Sequence, residues 1–203
     1  MRLSKKTLIG AGILVGLGAL AVTVYAQNPL LPLEPPAPGS RTLPSPDSAW
    51  DDASARVLRF SALIYKYAAE FNISPALLSA HIHQESQGRE CALNPNGEYS
   101  VGLFQINCPN PYLCCPYSCE VPGHYWGLNV GKCADGSGLY DPETNIRAGA
   151  GFVSWLTARY CDGGPCDAAI SKYSTGPNSD YVNTPYINSV NSLYAQYRTV
   201  WGS

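Results

Sequence analysis

Glu85 is the residue whose type and placement best suit acid–base chemistry. In PALLSAHIHQES the helical period puts it three residues after Ile82, seven after Leu78 and eight after Leu77. A carboxyl group held against that apolar face loses hydration of its charged form, and its pKa rises towards neutrality. Such a group can give a proton to a leaving oxygen at physiological pH. Arg89, four residues on, offers the alternative of a structural salt bridge, and the residues alone leave both readings open. His81 and His83 stand two apart on the same helix, which puts them on different faces and makes a poor metal pair. They read as core or rim residues.

The eight cysteines are Cys91, Cys108, Cys114, Cys115, Cys119, Cys133, Cys161 and Cys166. Their even number implies disulfides if the chain is exported, and the spacing from Cys108 through Cys119 lacks a paired zinc signature. No metal and no cofactor is expected. Lys and Arg nowhere form a basic run, so nucleic-acid binding is disfavoured.

The elements that must carry these residues read as mainly helical. Apolar positions at three- and four-residue steps predict a helix over Ser48 to Phe71. Ser74-Pro75 predicts the start of a second, with the serine hydroxyl as cap, running to Gly88. Asp141-Pro142 opens a third towards Tyr160, and shorter patterns cover Asp167 to Tyr173 and Tyr186 to Tyr197. Between the second and third, Asn94-Pro95-Asn96-Gly97 marks a turn followed by a small β-hairpin. A cysteine-rich loop follows. The fold class is therefore mainly α, an α+β arrangement with one small β-hairpin and a disulfide-rich loop.

Five segments in order carry a family resemblance. HQESQG (83–88) is similar to the catalytic Glu-Ser motif of the goose-lysozyme-like lytic transglycosylases, the SLT group of glycoside hydrolase family 23. NPNGEYSVGLFQIN (94–107) resembles their Gly-Leu-Met-Gln-Ile segment, with Phe104 for Met. DPETNIRAGAGFVSWL (141–156), AISKYSTGP (169–177) and TPYINSVNSLYAQY (184–197) resemble the next helix, the Tyr-Asn-Ala-Gly motif and the closing helix. The resemblance implies a lysozyme-like fold in which Glu85 is the catalytic acid and then base, with Ser86 orienting groups beside it. It implies that Gln105 contacts an N-acetyl group and that Tyr173 reaches towards Glu85 or the substrate. It further implies that Gly102 lets the backbone approach the glycan, and that Ser174 occupies a substrate-contacting position. The family has Asn where this chain has Ser174, and a hydroxyl cannot present both donor and acceptor as an amide does.

Glycoside cleavage ordinarily uses two carboxyl groups. Glu90, Glu98, Asp135 and Glu143 are candidates for the second, and none lies in a matching motif. Ser100 stands where hen-type lysozymes carry an acid. The resemblance thus implies cleavage of the MurNAc–GlcNAc β-1,4 bond of peptidoglycan without water, giving 1,6-anhydro ends. A hydrolytic muramidase and a non-catalytic wall-binding assembly component are the alternatives.

Arg2, Lys5 and Lys6 precede an uncharged run from Thr7 to Ala26, predicting residues 1–26 as a signal peptide or membrane anchor. Residues 27–47 read as a proline-rich linker, with seven prolines between Asn28 and Pro46. Residues 48–203 form the domain. Beyond the first 26 residues, 10 basic side chains face 15 acidic ones, so an anionic wall polymer gains no electrostatic attraction. The expected location is the periplasm or cell envelope, including the inner membrane, or a virion. Partners would be glycan strands, the membrane if the segment is uncleaved, and secretion, conjugation or virion machinery.

Overall fold

A computed structural model describes residues 52–94, 99–108, 130–162 and 164–202. Six α-helices and one three-stranded antiparallel sheet make up this part, confirming the mainly α, lysozyme-like class. The helices are α1 (Asp52–Leu58), α2 (Ser61–Glu70), α3 (Pro75–Ser86), α4 (Pro142–Tyr160), α5 (Asp167–Thr175) and α6 (Thr184–Trp201). The strands are β1 (Leu93–Asn94), β2 (Tyr99–Val101) and β3 (Ile106–Cys108), in that spatial order. The Thr7–Ala26 run, the linker, Glu98 and most of the cysteine-rich loop lie outside the described residues. No helix among the described residues is long and apolar enough to cross a membrane.

Helix α3 is central. Every residue from Pro75 to Ile82 is buried, so it is enclosed on all sides rather than along one stripe. It packs along α6 and is flanked by α1, α2 and α4. The predicted first helix is broken at Arg59–Phe60, and the break serves the packing of α1 on the end of α3. Arg56 Nε donates to the Gln87 carbonyl at 2.9 Å and Arg59 to the Gly88 carbonyl at 3.2 Å. Gly88, at φ +73°, is in contact with this segment, and a Cβ there would stand 2.7 Å from the Val57 nitrogen.

Two helix starts show how local chemistry was realised. Asp141 caps α4 as predicted, accepting from the Thr144 amide at 2.8 Å, with Pro142 in the first turn. Ser74 precedes α3 in extended conformation, yet its hydroxyl makes no capping bond and is buried without a partner among the described residues. Proline at the first helical position already removes one orphan N–H, which lessens the need for the cap. The final helix exceeds the predicted Tyr186–Tyr197 at both ends, because Asn183 accepts from the Tyr186 amide at 3.3 Å and Gly202 adopts φ +71° after Trp201. Disulfides join Cys91 to Cys133 and Cys161 to Cys166. The side chains of the other four cysteines lie outside the described part.

Candidate active site

Glu85 lies in the last turn of α3, where the buried helix runs out beside the sheet. It lines a cavity of about 270 Å³ together with Asn94, Ser100, Gln105, Asn107 and residues from three other helices. Burial pushes its carboxyl group up to about 7, and a hydrogen bond from Tyr186 acts in the opposite direction. Tyr186 Oη donates to Glu85 Oε1. Arg89 is exposed and forms no pair with Glu85, so the structural salt bridge is not made.

The sheet forms a polar wall. Its register pairs Asn94 with Ser100 and Ser100 with Asn107, setting an amide, a hydroxyl and an amide side by side on three strands. All three line the cavity. Gln105, at φ +45° in the β2–β3 turn, also lines it. Its Nε2 donates to the carbonyls of Ala92 (3.2 Å) and Gly102 (3.0 Å), which fixes the orientation of the amide. The backbone-satisfying role thus occupies the donor, and Oε1 remains able to accept from a ligand N–H.

Asn145 holds this turn from behind. Fully buried in α4, its Nδ2 donates to Val101 O (2.9 Å) and Leu139 O (2.8 Å), and its Oδ1 accepts from the Phe104 amide at 2.8 Å. Gly102 is buried at φ +74°, where a Cβ would collide with the Asn145 amide and the Leu139 carbonyl. Its lack of a side chain therefore serves close packing on Asn145, and Gly102 is not among the cavity-lining residues. Phe104, at the position of the family's Met, is fully buried, and its ring fills the space over Gly149.

The remaining positions divide. Tyr173 lines the cavity, but its hydroxyl donates to the Phe104 carbonyl at 2.6 Å, and the hydroxyl at Glu85 comes from Tyr186. Ser174 also lines it, donating to Ser171 O at 3.0 Å and accepting from Asn183 Nδ2 at 3.1 Å. Ser86 is buried, and its hydroxyl serves the helix end, donating to Ile82 O at 3.0 Å and accepting from the Gly88 amide at 3.2 Å. Sequence reasoning missed Tyr186, Asn145 and Asn183. An amide inside the apolar period of α4 was a usable signal for Asn145, whereas nothing in the spacing singles out one tyrosine among 14.

Three candidate second carboxylates are engaged elsewhere. Glu90 pairs with Arg59, Glu143 with Lys66 and Tyr67, and Asp135 accepts from the Ser137 amide at 3.1 Å. None of them lines the cavity. Glu98 is outside the described residues.

A helical domain with a buried central helix ending in a Glu at a sheet-walled cavity has the lysozyme-like fold of the lytic transglycosylases. The X-ray structure of an inactive mutant of the lytic transglycosylase Slt from Pseudomonas aeruginosa is similar, with a TM-score of 0.54 and 19% sequence identity. The match covers 75% of this chain and 26% of that one, so this chain corresponds to about a quarter of Slt. No protein-family model and no curated protein matches the sequence.

Proposed function

We propose that this domain is a peptidoglycan lytic transglycosylase with Glu85 as its sole acid and base. The observation that carries the reading is a partly buried carboxyl group, raised to about 7, facing a polar cavity. A group titrating there is present as both acid and carboxylate near neutral pH, which suits a residue that must give a proton and then take one. Glu85 protonates the glycosidic oxygen as the C1–O bond breaks and the substrate's acetamido oxygen closes on C1. The carboxylate then removes the muramyl 6-hydroxyl proton as O6 displaces that oxygen, leaving a 1,6-anhydro end. Absence of another carboxylate among the described cavity residues favours this route over hydrolysis.

In this reading Gln105 accepts from the acetamido N–H, and Tyr173 and Ser174 form the opposite wall. Export through residues 1–26, with 27–47 as a spacer, brings the domain to the wall. The test is digestion of purified sacculi by the oxidised full chain, with the products weighed. Anhydro ends support the proposal; reducing MurNAc ends assign a muramidase, with Glu98 the first residue to test. No release at all, or wild-type release by Glu85→Gln, removes the acid role.

A further inference from the structure

His81 precedes Glu85 by one helical turn and is 1% exposed. Its Nδ1 lies 3.2 Å from Tyr186 Oη, the same hydroxyl that meets Glu85 Oε1. A phenol has one hydrogen, and an ionised carboxylate only accepts. The Tyr186 hydrogen therefore goes to Glu85. Contact between Tyr186 Oη and His81 then requires His81 to donate, which places its hydrogen on Nδ1.

Protonation of Glu85 on Oε2 leaves both bonds unchanged, whereas protonation on Oε1 would reverse them and require the ring hydrogen on Nε2, so the His81 tautomer reports which carboxyl oxygen holds the acidic proton. Burial also holds the imidazole pKa down to about 3, so the ring carries a single hydrogen. The ring is held in place by Tyr173, whose centroid is 4.5 Å away.

We propose that His81 is a positioning residue for the catalytic acid: its Nδ1–H engages the Tyr186 oxygen, aims the phenol hydrogen at Glu85 Oε1 and confines the acidic proton to Oε2. This rests on the reading of Glu85 as acid and base. Among the described residues the titratable groups facing Glu85 are Tyr186 from α6, Tyr173 from α5 and His81 on its own helix. The sheet contributes the uncharged Asn94, Ser100, Gln105 and Asn107, and α4 contributes Phe152. A donor behind Tyr186 makes the phenol a better donor in turn, because hydrogen bonds in a chain polarise one another. The ionised form of Glu85 is thereby stabilised against its burial, which favours the first, proton-donating step that leaves the carboxylate behind.

The test is NMR on the oxidised full chain, and it is independent of turnover. Nitrogen-15 spectra of the three histidines should show His81 as the Nδ1–H tautomer, unchanged from pH 5 to 8. An Nε2–H tautomer, or a ring that becomes doubly protonated in this range, overturns the proposal. Carbon-13 titration of the Glu85 carboxyl is the second readout. His81→Phe keeps a ring but removes the donor and should raise the Glu85 midpoint by about half a unit. His81→Asn, which offers an N–H near the former Nδ1, should return the midpoint towards the wild-type value. Equal midpoints in wild type and His81→Phe overturn the proposal. If His81→Phe does not fold, the wild-type tautomer decides. Failure of the chain to digest peptidoglycan would count against the role of Glu85, while these two readouts would still report on the His81–Tyr186–Glu85 chain.

Discussion

Tyr186 Oη donates to Glu85 Oε1 across 101 positions of the chain, tying the first turn of α6 to the last turn of α3. The placement of that hydroxyl is set by Asn183, which caps α6 through its Oδ1 and donates from Nδ2 to Ser174. Ser174 thus connects the end of α5 to the start of the helix that carries Tyr186. The Ser174 hydroxyl receives an amide N–H from position 183, the residue that caps α6.

Tyr186→Phe removes the one interaction that lowers the Glu85 pKa and leaves desolvation unopposed. The alkaline limb of kcat/KM on peptidoglycan should start near pH 7 in wild type and move upward in the variant. Loss of a hydrogen bond that stabilises the carboxylate should slow the proton-donating step, which creates that charge, about tenfold. A pH–rate series on both proteins checks the two effects together. An unmoved limb would show that Tyr186 does not bear on Glu85 ionisation.

The raised Glu85 pKa also has a cost in stability, with a definite sign. A carboxyl group at about 7 when folded and 4.5 when unfolded contributes no penalty below pH 4.5. Between pH 4.5 and 7 the unfolded carboxyl group ionises while the folded one stays protonated, so the penalty grows across that window to roughly 3 kcal/mol and stays constant above it. Glu85→Gln should therefore unfold at higher urea than wild type at pH 8 and at a similar urea concentration at pH 4. A constant difference at both pH values would contradict the raised pKa.

The helical class, the hairpin and the place of Glu85 were legible because periodicity and turn residues act locally. Leu77, Leu78 and Ile82 sit where the helical period puts them, and Glu85 emerges beside them at the cavity. The partner of that carboxyl group was not legible, since Tyr186 reaches it through the packing of α6 on α3, with Asn183 capping that helix. Ser86, Gly102 and Tyr173 were recognised by motif, yet their hydroxyls and missing side chain serve backbone groups and packing. A motif preserves residues that build a site together with those that touch a ligand, and only contacts separate the two.

Asn145 supplies the sharpest stability prediction. Asn145→Ala strands the Phe104 amide and removes the donor to the Val101 and Leu139 carbonyls, all inside the core. The cost should be about 2–4 kcal/mol, read from urea unfolding. Asn145→Asp should not rescue it, because an ionised carboxylate can accept from Phe104 but cannot donate to either carbonyl. Because the same three bonds hold the turn that carries Gln105, activity should fall with stability in both variants.

The two disulfides should contribute unequally. Cys91–Cys133 spans 42 residues and Cys161–Cys166 spans 5. Chain-entropy estimates give about 4 kcal/mol for the long loop and about 2 for the short one. Cys91 follows the end of α3 and Cys133 lies in the 3-10 turn Cys133–Asp135, so the long loop brackets the whole sheet. Replacing Cys91 and Cys133 with Ala should lower the urea midpoint more than replacing Cys161 and Cys166. It should also impair turnover, because Asn94, Ser100, Gln105 and Asn107 all sit between the bridged residues. The short bridge joins the end of α4 to the start of α5, outside the chain segment that carries the sheet, and its removal should leave that wall in place. Unfolding and sacculus digestion measured on both double variants would separate the two bridges. A greater loss of turnover from the short bridge would mean that the α4–α5 connection, rather than the sheet, governs the shape of the cavity.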